Sequence, residues 1–144
     1  TWSPEWQALL GCAYLDRLET NILPIGGLIW TPNEDVKYEI VFPKPKLAQR
    51  IRWGGASTEQ VQDWVYLSGE FGGSAWAIRR ASGADDVVDY RDWRLLLGVE
   101  RKAIGTLDYY GELGYVFNRK FQYASSSQES EPGDTFMIRV GALY

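Results

Sequence analysis

The chain ends on a stretch that admits few folds. From Asp134 to Tyr144, the residues Phe136, Ile138, Val140, Ala142 and Tyr144 fall on one face of an extended strand. Thr135, Met137, Arg139, Gly141 and Leu143 fall on the other, and only that face carries charge. Period-two alternation of this kind marks a strand whose two sides meet different surroundings.

The same alternation recurs upstream. Trp6, Ala8, Leu10, Cys12 and Tyr14 oppose Gln7, Leu9, Gly11 and Ala13. Ile22–Trp30 is apolar around Gly26-Gly27, which leaves its faces unassigned. Thr31–Asp35 reads as a turn from its Pro, Asn and Asp content. Val36, Tyr38, Ile40 and Phe42 then alternate with polar neighbours up to Pro43-Lys-Pro45, a break because proline cannot donate to a sheet ladder. Lys46–Trp53 resumes the pattern, and Gly54–Gln60 reads as a loop. Further strands are expected over Asp63–Arg80, Asp92–Lys102 and Leu107–Lys120. Ser82–Asp86 reads as a turn and Ser125–Gly133 as a polar, flexible loop. The count is eight strands, or seven if Pro43–Pro45 bends a single long one. No segment holds a helical period.

At 144 residues the chain suits one domain, residues 1–144. A net charge of −4 without a long basic run argues against nucleic acid as a partner. Histidine is absent, which removes Ser-His and Cys-His catalysis and the commonest neutral metal ligand. The single cysteine, Cys12, excludes an internal disulfide framework. No cofactor and no metal site is expected. The chain starts at Thr1 without a signal peptide, as a mature form or a fragment would.

Aromatic residues make up 15% of the chain, with 7 Trp and 9 Tyr, more than a small soluble core needs. Such rings settle at membrane–water interfaces. Trp6, Tyr14, Trp93, Tyr109, Tyr115 and Tyr144 all lie on apolar faces, where they would form a lipid-facing girdle. Glu70, Arg94, Glu100, Glu112 and Arg139 share the opposite faces with Gly72, Ser74, Gly98, Gly114 and Gly141. In a soluble barrel or sandwich the charged face would be outside. In a membrane barrel it turns inward, because charge facing hydrocarbon costs roughly 2–4 kcal/mol at mid-bilayer. The small residues among the charges suit a crowded lumen, and several strands exceed the usual five or six residues. The expected fold is therefore all-β, an antiparallel up-and-down transmembrane β-barrel of eight strands.

Several stretches strengthen that expectation. Gly27-Leu-Ile-Trp-Thr-Pro-Asn33, Phe42-Pro-Lys-Pro45, Gly69-Glu-Phe-Gly-Gly-Ser74, Tyr90–Glu100, Gly114-Tyr-Val-Phe-Asn-Arg119 and the aromatic-ended terminal strand resemble an uncharacterised family of small bacterial outer-membrane β-barrels. The resemblance implies fold and location, the bacterial outer membrane, but no activity. It implies membrane lipid as a partner, and the barrel-assembly machinery as reader of the last strand. Members are longer at the amino end, which leaves open whether the chain is a whole eight-stranded barrel or the carboxy-terminal part of a larger one, and a homo-oligomer is open.

Of chemical sites, Glu70, Glu100 and Glu112 supply carboxylates, but ion pairing with Arg94 and Arg139 accounts for them better than glycosidase-type catalysis. Asp85, Asp86 and Asp89 read as a solvated turn, not a calcium loop. Lys44, Lys46, Arg50 and Arg52 form a modest basic cluster. The expected function is a non-enzymatic membrane scaffold or narrow passive pore. The alternative is a soluble lipocalin-like barrel with its apolar face turned inward around a ligand.

Overall fold

A computed structural model describes residues 5–14, 22–54, 61–103 and 107–143. They form one antiparallel sheet and no helix. Its strands are β1 (Trp6–Tyr14), β2 (Ile22–Asn33), β3 (Val36–Phe42), β4 (Lys46–Gly54), β5 (Val61–Arg79), β6 (Asp85–Ala103), β7 (Asp108–Tyr123), β8 (Ser126–Ser130) and β9 (Thr135–Leu143). Each strand from β1 to β8 pairs with the next in sequence, an up-and-down order, so no connection crosses another. β8 runs beside Phe121–Tyr123 and β9 beside Asp108–Val116, on the same free side of β7. The two share one lane, which makes eight lanes across the sheet. Among the described residues β1 pairs only with β2, and β9 only with β7.

The register lines up one uninterrupted apolar row. Trp6 faces Trp30, then follow Tyr38, Leu47, Leu67, Leu97, Leu113 and Ile138, each directly opposite the last. Stacking of Trp6 on Trp30 and of Trp30 on Tyr38, with centroids 5.1 and 5.2 Å apart, fastens the first three lanes. A second aromatic run, Phe42–Phe71–Trp93, lies nearer the Pro43–Pro45 turn, which begins with a cis peptide.

This apolar face is the exposed one. Leu97 is 55% and Ile138 79% exposed, and Leu67, Leu95 and Leu113 are open as well. On the other face Leu96 is 1% exposed, and Tyr66, Glu70, Asp92 and Val116 are buried. No second layer of structure covers the sheet among the described residues. A single sheet can bury one face only by curling around it, so the polar face is concave and the apolar face convex. The Leu67, Leu95, Leu97 and Leu113 side chains do not gather into a core.

Four local expectations are corrected. Residues 126–130, read as flexible loop, form β8 and pair with β7. β6 starts at Asp85, so the turn moves two residues back, to 80–84, and Asp86 and Asp89 are buried strand residues, not parts of a solvated turn. Asp89 is fully buried, and neither of its carboxylate oxygens accepts a hydrogen bond. β2 continues through Asn33, which leaves only Glu34 and Asp35 for its turn. Lastly, Asn118 takes φ 49° where the β6–β7 register shifts between Arg91 and Trp93. Asn tolerates this left-handed backbone, and the resulting bulge inserts one extra residue. Beyond it the faces swap: alternation from Glu112 and Gly114 would keep Lys120 on the polar face, whereas the bulge pairs it with Arg91 on the convex side. The loop at Gly54–Gln60 lies outside the described residues beyond Gly54.

Candidate functional site

The concave face carries a continuous polar constellation. Pairing of β5 with β6 sets Glu70 opposite Arg94, and pairing of β7 with β9 sets Glu112 opposite Arg139. Arg94 Nη1 donates to Glu70 Oε1 at 3.2 Å, and Arg139 Nη2 reaches across to Glu70 Oε2 at 3.2 Å. Arg139 Nε donates to Glu112, which also accepts from the Tyr66 hydroxyl at 2.8 Å. At the other end Arg94 Nη2 donates to Asp92 Oδ2 at 3.0 Å. Asp92 accepts the Tyr90 hydroxyl at 2.8 Å, and Arg119 Nε donates to that hydroxyl at 3.1 Å.

The result is a ladder, Arg119–Tyr90–Asp92–Arg94–Glu70–Arg139–Glu112–Tyr66, in which acids and guanidiniums alternate. Three arginines meet three carboxylates, so its formal charge is zero. Burial demands this balance, because an unpaired ion there would lose its hydration without compensation. Glycine makes room for the larger members. Gly98 lies between Tyr66 and Glu112, and any Cβ at Gly98 would fall inside the Tyr66 ring.

Of the five expected lumen charges, Glu70, Arg94, Glu112 and Arg139 come together. Glu100 shares the face but belongs to a separate cluster. It accepts from Lys46 Nζ at 3.1 Å and lies 3.5 Å from Lys102 Nζ. Lys46 also sits 4.0 Å above the Tyr66 ring centroid. Three members of the expected basic cluster are divided among acids: Lys44 lies 3.6 Å from Glu70, Lys46 on Glu100, and Arg50 2.6 Å from Asp35, while the side chain of Arg52 lies outside the described residues. The girdle residues Trp6, Tyr14, Trp93, Tyr109 and Tyr115 are all exposed on the convex side, and Tyr144 lies outside the described residues.

Asp92, Tyr90, Arg119 and Tyr66 were not singled out by the sequence. Asp92 and Arg94, two apart, share a face, and that spacing was the available signal. Tyr66 could be joined to Glu112 only through the β5–β6–β7 register.

A second polar knot closes the β5–β6 and β7–β8 turns at the same end. Asp86 accepts from Ser125 Oγ at 2.7 Å, Arg80 Nε at 2.7 Å, Val87 N at 2.9 Å and Ser125 N at 3.0 Å. The Ser125 hydroxyl foremost, then Arg80 and the two amides, hold the Asp86 carboxyl down to about 2, against the opposing effect of burial.

No known protein family, curated protein or solved structure matches the chain. The geometry, two faces of opposite character on one curled sheet, therefore bears the functional argument.

Proposed function

We propose that the sheet closes into an eight-lane β-barrel in the bacterial outer membrane, serving as a non-enzymatic scaffold or narrow passive pore. One observation carries this reading: the convex apolar band is bounded by charge at a membrane's spacing. On β6 the outward residues Trp93, Leu95, Leu97 and Val99 lie between Arg91 and Arg101, ten residue steps apart by number. Arg101 is held by Asp63 through contacts of 2.7 and 2.9 Å. Ten steps span about 33 Å along a strand, or about 25 Å vertically at a tilt of about 40°, the height of a barrel's lipid-facing band. Lipid would meet Trp6, Tyr14, Trp93, Tyr109 and Tyr115, and the last strand would be the segment read during assembly.

The geometry also supports closure. Eight lanes is an even number, and β1 and the β8/β9 lane run in opposite directions, as antiparallel closure requires. The edges β1 and β9 each have nine residues. A lipocalin-like reading would need an apolar concave face, whereas Glu70, Arg94, Glu112 and Arg139 occupy it here.

The test compares boiled and unboiled protein on a gel after refolding in detergent. A compact, heat-sensitive band that forms only with detergent or lipid is expected. A monomer that stays folded in plain buffer, with no such band, overturns the proposal.

A further inference from the structure

We infer that the barrel is completed within one chain by pairing β1 with β9 in a single register, with Cys12 opposite Val140, Tyr14 opposite Ile138 and Leu10 opposite Ala142. The inference rests on the membrane reading above and adds the partner and alignment of the two free edges.

Three constraints, taken together, select this register. The first is face matching. Even-numbered residues of β1 and of β9 point to the convex side, so registers can differ only by two residues.

The second is the drift of the apolar band. Along the row from Trp6 to Ile138, the outward apolar stretch of β9 is centred near Arg139, one residue below the row. That of β7 is centred on Leu113, in the row, and that of β6 near Leu96, one above it. On β1 it is centred on Leu10, four residues above Trp6. A flat belt on tilted strands produces this drift. Carrying it one lane past β9 places Leu10 beside Val140, a shear of about six residues. Barrel strands tilt by about 35–45°, and eight lanes reach the lower limit only at a shear of about eight. The tilt therefore excludes six, and a shear of about eight, the nearest value it admits, moves Leu10 one pair further, onto Ala142.

The third is room on the concave face. The Tyr110 ring lies across Gly141, where any Cβ would meet it. The ring's hydroxyl end therefore points beyond β9 toward the next lane. In the chosen register that lane offers Gly11, whose Cβ position has nothing within 4 Å. Shifting by one pair in one direction would put Leu9 there instead.

A barrel closed this way has a backbone radius of only about 8 Å. Tyr66, Tyr110 and the Arg94–Arg139 ladder fill such an interior, which favours a sealed scaffold over a pore.

The only native thiol, Cys12, is exposed on β1, so it serves as a fixed probe. Val140→Cys, Ile138→Cys and Ala142→Cys would be made singly and the proteins refolded in detergent. Each would be treated with copper-phenanthroline and, separately, with the shortest bis-methanethiosulfonate crosslinker, which tolerates either cross-strand pair geometry. Expected is a reducible, monomer-sized product from V140C at least fivefold more abundant than from I138C or A142C. A maximum at I138C or A142C overturns the register. A dimer-sized product from V140C would assign the edge to a second copy, and no product from a protein that still gives the heat-sensitive band would mean other strands lie between the edges. Either result overturns single-chain closure while leaving the membrane reading intact. Loss of the heat-sensitive band from the wild-type protein would instead sink the membrane reading itself.

Discussion

A charge placed at Leu97 separates lipid from water on the convex face. Leu97 stands on β6 between Leu67 and Leu113, is 55% exposed, and lies six residues from Arg91 and four from Arg101. It is therefore near the middle of the apolar band. Leu97→Arg should cost roughly 2–4 kcal/mol if the band meets hydrocarbon, because a guanidinium at mid-bilayer loses its hydration. Tyr109→Arg gives the internal reference. Tyr109 is the direct partner of Arg101 at the edge of the band, where the same charge costs about 0–1 kcal/mol. Were the face wetted, both exposed positions would accept arginine within about 0.5 kcal/mol. Reversible guanidinium unfolding from phospholipid vesicles, followed by tryptophan emission, reads the difference directly. Unfolding free energies for L97R and Y109R that agree within about 0.5 kcal/mol would refute the orientation.

Two further outcomes follow from the polar face and the turns. Glu70→Ala removes the acceptor shared by Arg94 and Arg139, each of which keeps one other carboxylate. Two charge-assisted bonds at about 1.5–3 kcal/mol apiece, partly recovered by those remaining partners, give an expected loss of about 3 kcal/mol. Combined with Arg139→Ala the loss should fall short of the sum by at least about 0.5 kcal/mol in a double-mutant cycle, and strict additivity would contradict a shared network. Asp86 gives the pH dependence. Its carboxyl is depressed in the folded protein, so its stabilisation is complete above the ordinary carboxylate range and fades as pH falls from about 4 toward about 2. Protection of the Val87 and Ser125 amides, measured as exchange relative to its intrinsic rate at each pH, should fall across that window in the native protein and show no such step in Asp86→Asn.

Period-two alternation made the strands legible, and with them half of the site: Glu70, Arg94, Glu112 and Arg139. Glu70 and Arg94 could be put on one kind of face, and Phe136, Ile138 and Val140 on the other, from local spacing alone. The bulge at Asn118 escaped because a single left-handed residue leaves no periodic trace, yet it moves Lys120 to the opposite side. β8 escaped because Ser126–Ser130 is polar on both faces, so its strand character comes from pairing with β7 rather than from patterning. Asp86 and Asp89 looked like turn residues because acidic clusters usually stay solvated. Asp86 is buried because Arg80, from across the β5–β6 turn, and Ser125, distant in sequence, arrive to bind it.

By itself, then, the order of residues determined which side chains share a surface. It also determined that the two surfaces differ in polarity, since alternation is a property of consecutive positions. Alternation is indifferent to which surface is enclosed and to which residue stands opposite which. Those were decided by tertiary structure: long-range pairing set Glu112 against Arg139, and the curl of the sheet turned both toward the inside. Curvature belongs to the assembled sheet, where strand twist accumulates lane by lane, and no single strand's sequence contains it.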